Sequence, residues 1–157
     1  MNHFILVTTD SETIGGAVMP AIDIIHRRLK LGKWPIYDRT PCRKLFASGD
    51  KTIFYVGGSR MGSGYMIGVS SIDKVEFGLR RPLDLDGEDV LSEPASNIIC
   101  FGPLKFFTVP VHLKSNLQFL DCCPKSMTKW GSILIGGARR ISQHDYDFII
   151  GSTYEDG

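Results

Sequence analysis

The order of apolar and polar positions in the first third of the chain predicts one strand followed by one helix. Residues 3–8 are a continuous apolar run with β-branched side chains, which predicts a buried first strand. Apolar side chains then recur at helical spacing between Met19 and Leu31, which predicts a helix. Gly32, preceded by cations in the last turn, predicts the end of this helix. The basic residues of the segment are predicted to project away from its apolar face: Arg27, Arg28 and Lys30.

The middle of the chain predicts a loop and then a pair of strands. Residues 33–48 have no strong period and contain two prolines, which predicts a long loop. Long loops inside compact domains are often functional. Residues 52–56 and 65–72 are predicted strands joined by a glycine-rich turn, and residues 74–78 either continue the second strand or return from it.

The second half predicts more short strands and a closing helix. Residues 80–94 are polar and acidic and predict an exposed excursion, followed by short apolar segments at 97–101, 105–113 and 117–120. Ser142 as N-cap with Asp145 three residues later predicts the start of the last helix, with Gly151 as its end. Together these elements predict an α+β fold, a small mixed β-barrel with flanking helices, as a single domain over residues 1–157.

Charge is unevenly distributed, although the net charge is only +1. Residues 1–81 contain twelve Lys or Arg against seven Asp or Glu, whereas residues 82–157 contain six against ten. Between Arg27 and Lys44 there are seven basic residues and one acid, Asp38. Such a local positive stripe suits phosphate binding. The alternative interpretation is a solvated helix face followed by a basic loop.

No residue pattern predicts catalysis, a metal or a cofactor. Of the four cysteines, Cys122 and Cys123 are adjacent, which is not the spacing of zinc ligands, so we expect buried thiols in a reducing cytoplasm. The histidines do not share metal-ligand spacing, and Ser63 lies outside a nucleophile-elbow pattern. The apolar run at residues 4–7 is too short for a signal peptide or a membrane span, so we expect no membrane partner.

Five segments of the chain, taken in order, resemble EVE and YTH domains, which have the PUA-like fold. They comprise a first strand with its following loop, a tryptophan loop in a basic neighbourhood, a Gly-Asp turn with a strand, a Gly-Ser-Gly strand, and a final arginine-containing segment with a capped helix: 4–12, 33–36, 49–55, 62–69 and 137–146. The chain departs from those families in having Pro35 after Trp34 and in having Asp10 where YTH domains often have asparagine.

The resemblance implies a PUA-like mixed β-barrel that recognises a modified base, most simply a methylated one, in DNA or RNA without catalysis. It also implies a place as the reader of a modification-dependent restriction system, with a nuclease or NTPase on another subunit or domain. Two alternatives stay open: a PUA-like enzyme acting on RNA or a nucleotide, and a small-molecule sensor. An enzyme would need reactive groups near Trp34, where Asp10 is the only obvious carboxylate.

The residues predicted to contact the base follow the first strand and the first helix. The Trp34 indole could stack on a base, contributing about 1–3 kcal/mol, and the alternative is that it packs in the barrel. Asp10 could accept from an exocyclic amino group, and the alternative is a turn leading into the helix. The full set of predicted base-site residues is Thr9, Asp10, Ser11, Trp34, Pro35, Ile36, Tyr37 and Phe101.

A second set of residues is predicted to contact phosphate or to add aromatic surface. The phosphate-contact candidates are Arg39, Arg43, Lys44 and Arg60, joined from the far end of the chain by Arg139 and Arg140. Phe106 and Phe107 are adjacent on a predicted strand, so at most one of them can face the site. Trp130 is a weaker candidate for a second wall.

Overall fold

The computed structural model describes residues 1–13, 15–81, 95–122, 134 and 136–153. Within them, a curled six-stranded mixed sheet forms a half-barrel flanked by two short α-helices. The elements, in chain order, are β1 (His3–Thr8), β2 (Ser11–Glu12), β3 (Val18–Met19), α1 (Ala21–Leu31), β4 (Lys33–Ile36), β5 (Lys51–Val56), β6 (Tyr65–Arg81), β7 (Ala95–His112), a 3₁₀ helix (Lys114–Phe119), β8 (Ala138–Ile141) and α2 (Gln143–Ser152).

The sheet has the strand order β4-β7-β6-β5-β1-β8. Strand β1 pairs in parallel with β5, and the other neighbouring pairs are antiparallel. The parallel pair needs a crossover connection, which the segment containing α1 and β4 supplies. The short strands β2 and β3 form a separate ribbon between β1 and α1. Among the described residues, none of the helices combines the length and apolarity that crossing a membrane requires.

Strand β1 is buried on both faces of the sheet, which explains its uninterrupted apolar run. Phe4 and Leu6 belong to the core that also contains several buried residues of α1 and β4. Ile5 and Val7 belong to the opposite core, which contains residues of the 3₁₀ helix and α2. The C-terminal end of β1 is therefore enclosed by elements from both layers.

The end of α1 and the start of α2 are formed by the residues predicted from the sequence. The Gly32 residue after α1 has a φ of 70° and donates its N–H to the last-turn carbonyls of Arg28 and Leu29. At the start of α2, the Ser142 hydroxyl accepts the Asp145 N–H at 3.1 Å. These two predictions are confirmed, whereas α2 continues one residue past the predicted end at Gly151.

The structure corrects the prediction that residues 33–48 are loop throughout. Their first four residues form β4, which pairs antiparallel with residues 97–100 of β7. Pro35 is compatible with this strand because β4 lies at the edge of the sheet, where one row of backbone groups needs no strand partner.

Several short predicted segments are parts of longer elements. Residues 74–78 continue β6, and the segments 97–101 and 105–113 largely merge into β7, which also contains register shifts opposite β6. Most of residues 117–120 lie in the 3₁₀ helix. The predicted excursion beyond Arg81, as far as residue 94, and Trp130 lie outside the described residues.

Candidate functional site

The predicted site segments meet at the C-terminal end of β1. On one side, the Gly57 N–H at the end of β5 donates to the Thr8 carbonyl at 2.7 Å. On the other side, the Val7 N–H donates to the Gly137 carbonyl at 2.8 Å, just before β8. The chain beyond Thr8 therefore leaves the sheet between the β5–β6 loop and the segment that leads into β8.

Asp10 connects three elements at this end of β1. One carboxylate oxygen accepts the Ala21 N–H in the first turn of α1 at 2.9 Å, and the other accepts the Ser59 N–H at 3.1 Å. Pro20 at the N-cap offers no side-chain acceptor for the free N–H groups of the first turn, so Asp10, ten residues earlier in the chain, supplies one. Asp10 thus has a structural role, and its contact with a base stays a prediction. Thr9 is exposed and Ser11 half-buried beside it.

Gly58 provides the close approach that this carboxylate requires. Its φ is 73°, and a Cβ at this position would lie 2.5–2.6 Å from the Asp10 carboxylate atoms. The carboxylate can make room only by weakening its two backbone hydrogen bonds. Arg60, two residues later on the same loop, is exposed, and the Asp10 carboxylate holds the backbone of the preceding residue, Ser59.

We expect Gly58→Ala to destabilise the protein by roughly 1–3 kcal/mol more than Gly78→Ala, measured by urea unfolding. Gly78 has a similar φ of 70° but nothing within 4 Å of its added Cβ, so it isolates the backbone cost. In an Asp10→Ala background the excess cost of Gly58→Ala should disappear. An equal cost for the two glycine substitutions in the original chain would contradict this packing.

Trp34 lies in the core at 1 % exposure. Its indole stacks on Phe54 with ring centroids 5.5 Å apart and 24° between the planes, and Phe101 contacts it edge-on at 6.3 Å. Phe101 itself is half-buried. The burial agrees with the alternative of barrel packing and leaves almost no indole surface for a ligand. The stacking role of Trp34 stays a prediction that requires a neighbouring group to move.

Arg28 does not project away from the apolar face of α1, as predicted, but contacts Trp34 and Thr8. Its Cζ lies 4.8 Å from the centroid of the Trp34 ring, and its Nη1 donates to the Thr8 hydroxyl at 3.1 Å. Burial lowers the pKa of Arg28, and the nearby Tyr37 partly opposes this shift. The signal was present in the sequence, because Arg28 lies four residues after Ile24 and therefore on the apolar stripe of α1.

The loop after β4 packs against the segment that leads into β8. An added Cβ at Gly136 would lie 2.6 Å from the Pro41 ring. Burial raises the pKa of the Cys42 thiol, whereas the backbone amide of Arg140 and the charges of Arg139 and Arg140 oppose that rise. The structure thus brings the far end of the chain beside the predicted phosphate-binding loop.

The remaining predicted residues of this loop differ in exposure. Pro35 and Ile36 are buried in β4, and Tyr37 is half-buried, with its N–H bonded to the Thr40 hydroxyl at 3.0 Å. Arg39, Lys44, Arg139 and Arg140 are exposed, and Arg43 is half-buried. On β7, Phe106 is exposed and Phe107 is buried, which confirms that they face opposite sides of the sheet.

A cluster of metal-ligating residue types lies elsewhere, between the 3₁₀ helix and α2. One potential ligand atom from each of Asp121, His144 and Asp145 lies within 4.8 Å of the others. The Asp145 carboxylate already accepts the backbone N–H groups of Asp121 and Cys122 at 2.7 and 2.8 Å. Asp145 thus anchors the turn at residues 121 and 122, and these bonds explain why its carboxylate is buried.

No protein-family model and no curated protein sequence matches the chain. Several solved structures are similar to it over nearly its whole length. Human THYN1 protein in complex with 5-methylcytosine-containing DNA is 12 % identical with a TM-score of 0.62, covering 100 % of both chains. The YTH domain of Zygosaccharomyces rouxii MRB1 in complex with N6-methyladenosine RNA is 15 % identical with a TM-score of 0.53, covering 98 % of this chain and 87 % of that one.

The third structure is the N-terminal domain of Staphylothermus marinus McrB, which is 12 % identical with a TM-score of 0.50 and matches over 95 % of this chain and 93 % of that one. At such identities the likeness is one of fold. The chain has the PUA-like α+β fold that its resemblance to EVE and YTH domains implied.

Proposed function

We propose that this protein is a non-catalytic module that recognises a modified base, most simply a methylated one, in DNA or RNA. The supporting observation is the convergence of aromatic, hydrogen-bonding and basic residues at the C-terminal end of β1. Two solved structures with this fold hold nucleic acid with a methylated base, 5-methylcytosine in one and N6-methyladenosine in the other. The site would lie where Thr9, Asp10 and Ser11 leave the sheet beside Trp34, Tyr37 and Phe101.

The phosphate backbone would lie along the loop after β4. Arg39, Arg43 and Lys44 come from this loop, and its packing against residues 136–140 supports Arg139 and Arg140 as further contacts. Arg60 would contact the strand from the β5–β6 loop, on the other side of Asp10. Phosphate contacts of this kind position the ligand but do not distinguish one base from another.

The recognised modification would supply apolar surface to the site. Burying one methyl group contributes about 0.8 kcal/mol, which corresponds to roughly a fourfold preference, and a closer fit adds to it. The resemblance to EVE domains further supports a role as the reader in a modification-dependent restriction system, beside a nuclease or NTPase subunit or domain. Copurification of the chain with such a subunit from its native cell would test that role.

The direct test is a binding titration with matched oligonucleotides at low salt. The set contains plain, methylated and hydroxymethylated bases in single-stranded RNA, single-stranded DNA and duplex DNA. We expect at least a fourfold preference for one methylated oligonucleotide over its plain counterpart. Equal affinity for plain and modified oligonucleotides would contradict base recognition, and no binding to any of them would favour the small-molecule sensor.

The same samples distinguish a reader from an enzyme. Mass spectrometry of each oligonucleotide after prolonged incubation should show an unchanged mass. A mass change that depends on the protein would instead support the PUA-like enzyme, and Asp10→Asn would then show whether the carboxylate at the end of β1 takes part.

A further inference from the structure

Arg28 is held in its position by few interactions. Its Nη1 bonds to Thr8, but its Nε is buried with no hydrogen-bond partner among the residues that the structure describes. A guanidinium group has five N–H donors, and a buried donor without an acceptor is costly. Within the same described ranges, no carboxylate forms an ion pair with Arg28. The cost of the unpartnered Nε therefore offsets part of what the Thr8 hydrogen bond and the Trp34 contact contribute to holding Arg28 in place.

The guanidinium lies over the ring of Trp34, the residue predicted to stack on a base. It is planar and lies 4.8 Å from the centroid of the Trp34 indole, while bonding to the Thr8 hydroxyl at the end of β1. A nucleobase stacked on Trp34 would present the same features, namely a flat ring with a hydrogen-bonding edge. Phe54 and Phe101 also contact the Trp34 ring, and both belong to strands of the sheet. Of these three neighbours of Trp34, Arg28 has the long, flexible side chain, so it is the one that can move aside most easily.

We propose, on the basis of the proposed function, that Arg28 is a lid over Trp34 and that it swings outward to admit the modified base onto the indole face. The guanidinium would exchange its hydrogen bond to Thr8 and its cation–π contact with Trp34 for contacts with water. The base would then contact Trp34 and the Thr8 hydroxyl. The lid explains how a residue at 1 % exposure could belong to a binding site.

The closed position of the lid can be tested without any ligand. The chain has two tryptophans, so Trp130→Phe leaves Trp34 as the only one, and acrylamide quenching of its fluorescence then reports access to the indole. We expect Arg28→Ala to raise the quenching constant at least threefold. Thr8→Val, which removes the hydroxyl but keeps the shape, should raise it by a smaller factor. Lys30→Ala, on the exposed side of the same helix, should leave it unchanged.

Circular dichroism melts show whether each variant is folded. If Arg28→Ala unfolds, the quenching constant of the Thr8→Val variant tests the lid in its place. An unchanged quenching constant in a folded Arg28→Ala variant would overturn the lid.

The exchange with a base is tested by stopped-flow binding of the preferred modified oligonucleotide. Because the closed fraction reduces apparent affinity, Arg28→Ala should raise the association rate constant three- to tenfold. A tenfold loss of affinity would instead show that Arg28 contacts the ligand directly, and would overturn the proposal. If neither protein binds any oligonucleotide, the proposed function fails and a base is rejected as the occupant, whereas the quenching result still decides whether Arg28 covers Trp34.

Discussion

Replacing Trp34 with alanine is expected to lower the free energy of unfolding by about 3–5 kcal/mol. The indole is 1 % exposed and packs on Phe54 and Phe101, so its removal leaves a cavity that the sheet cannot easily close. Urea unfolding at a single temperature measures the change. Phe106→Ala is the matched control, because that ring is 50 % exposed on β7 and its loss should cost much less.

This burial changes how the binding role of Trp34 has to be tested. A binding defect in Trp34→Ala would combine lost stacking with partial unfolding. Trp34→Phe keeps an aromatic face and removes less volume, so it is the better variant for oligonucleotide binding. A loss of less than about 1 kcal/mol in Trp34→Ala would show that the indole does not lie in a packed core, contrary to the structure.

The sequence was sufficient to predict those elements that neighbouring residues determine. The apolar run of β1, the glycine that ends α1 and the serine that begins α2 each act within a few residues, and the structure confirms all three. The edge position of β4 was not predictable in this way. Whether a strand containing Pro35 can pair depends on which strand lies beside it, and β7 is more than sixty residues away in the chain.

The candidate site was only partly predictable for a similar reason. The order of motifs indicated the PUA-like fold and predicted a site after the first strand. The burial of Trp34 depends on Phe54 and Phe101, which come from two other strands. Arg28 was overlooked because its charge suggested exposure, although its spacing from Ile24 placed it on the apolar side of α1. For a long cationic side chain, helical position was the more reliable guide.

Replacing the basic residues in and beside the loop after β4 is expected to have the second large effect, on the salt dependence of oligonucleotide binding. Each phosphate contact contributes about 0.9 to the slope of log affinity against log salt on duplex DNA, and about 0.7 on a single strand. The triple variant Arg39→Ala, Arg139→Ala and Arg140→Ala should therefore have a slope shallower by about 2–3. Its affinity at low salt should fall for plain and modified oligonucleotides alike, because phosphate contacts do not report on the base.

The control for this variant removes the same charge elsewhere. The exposed residues Lys74, Lys105 and Lys114 lie on β6, on β7 and in the 3₁₀ helix, and their combined replacement with alanine changes the net charge equally. If the control flattens the salt slope as much as the arginine variant does, the effect comes from net charge. If only the arginine variant flattens it, the phosphates lie where the loop after β4 meets the end of the chain. That position would place a nucleotide of the bound strand beside the end of β1.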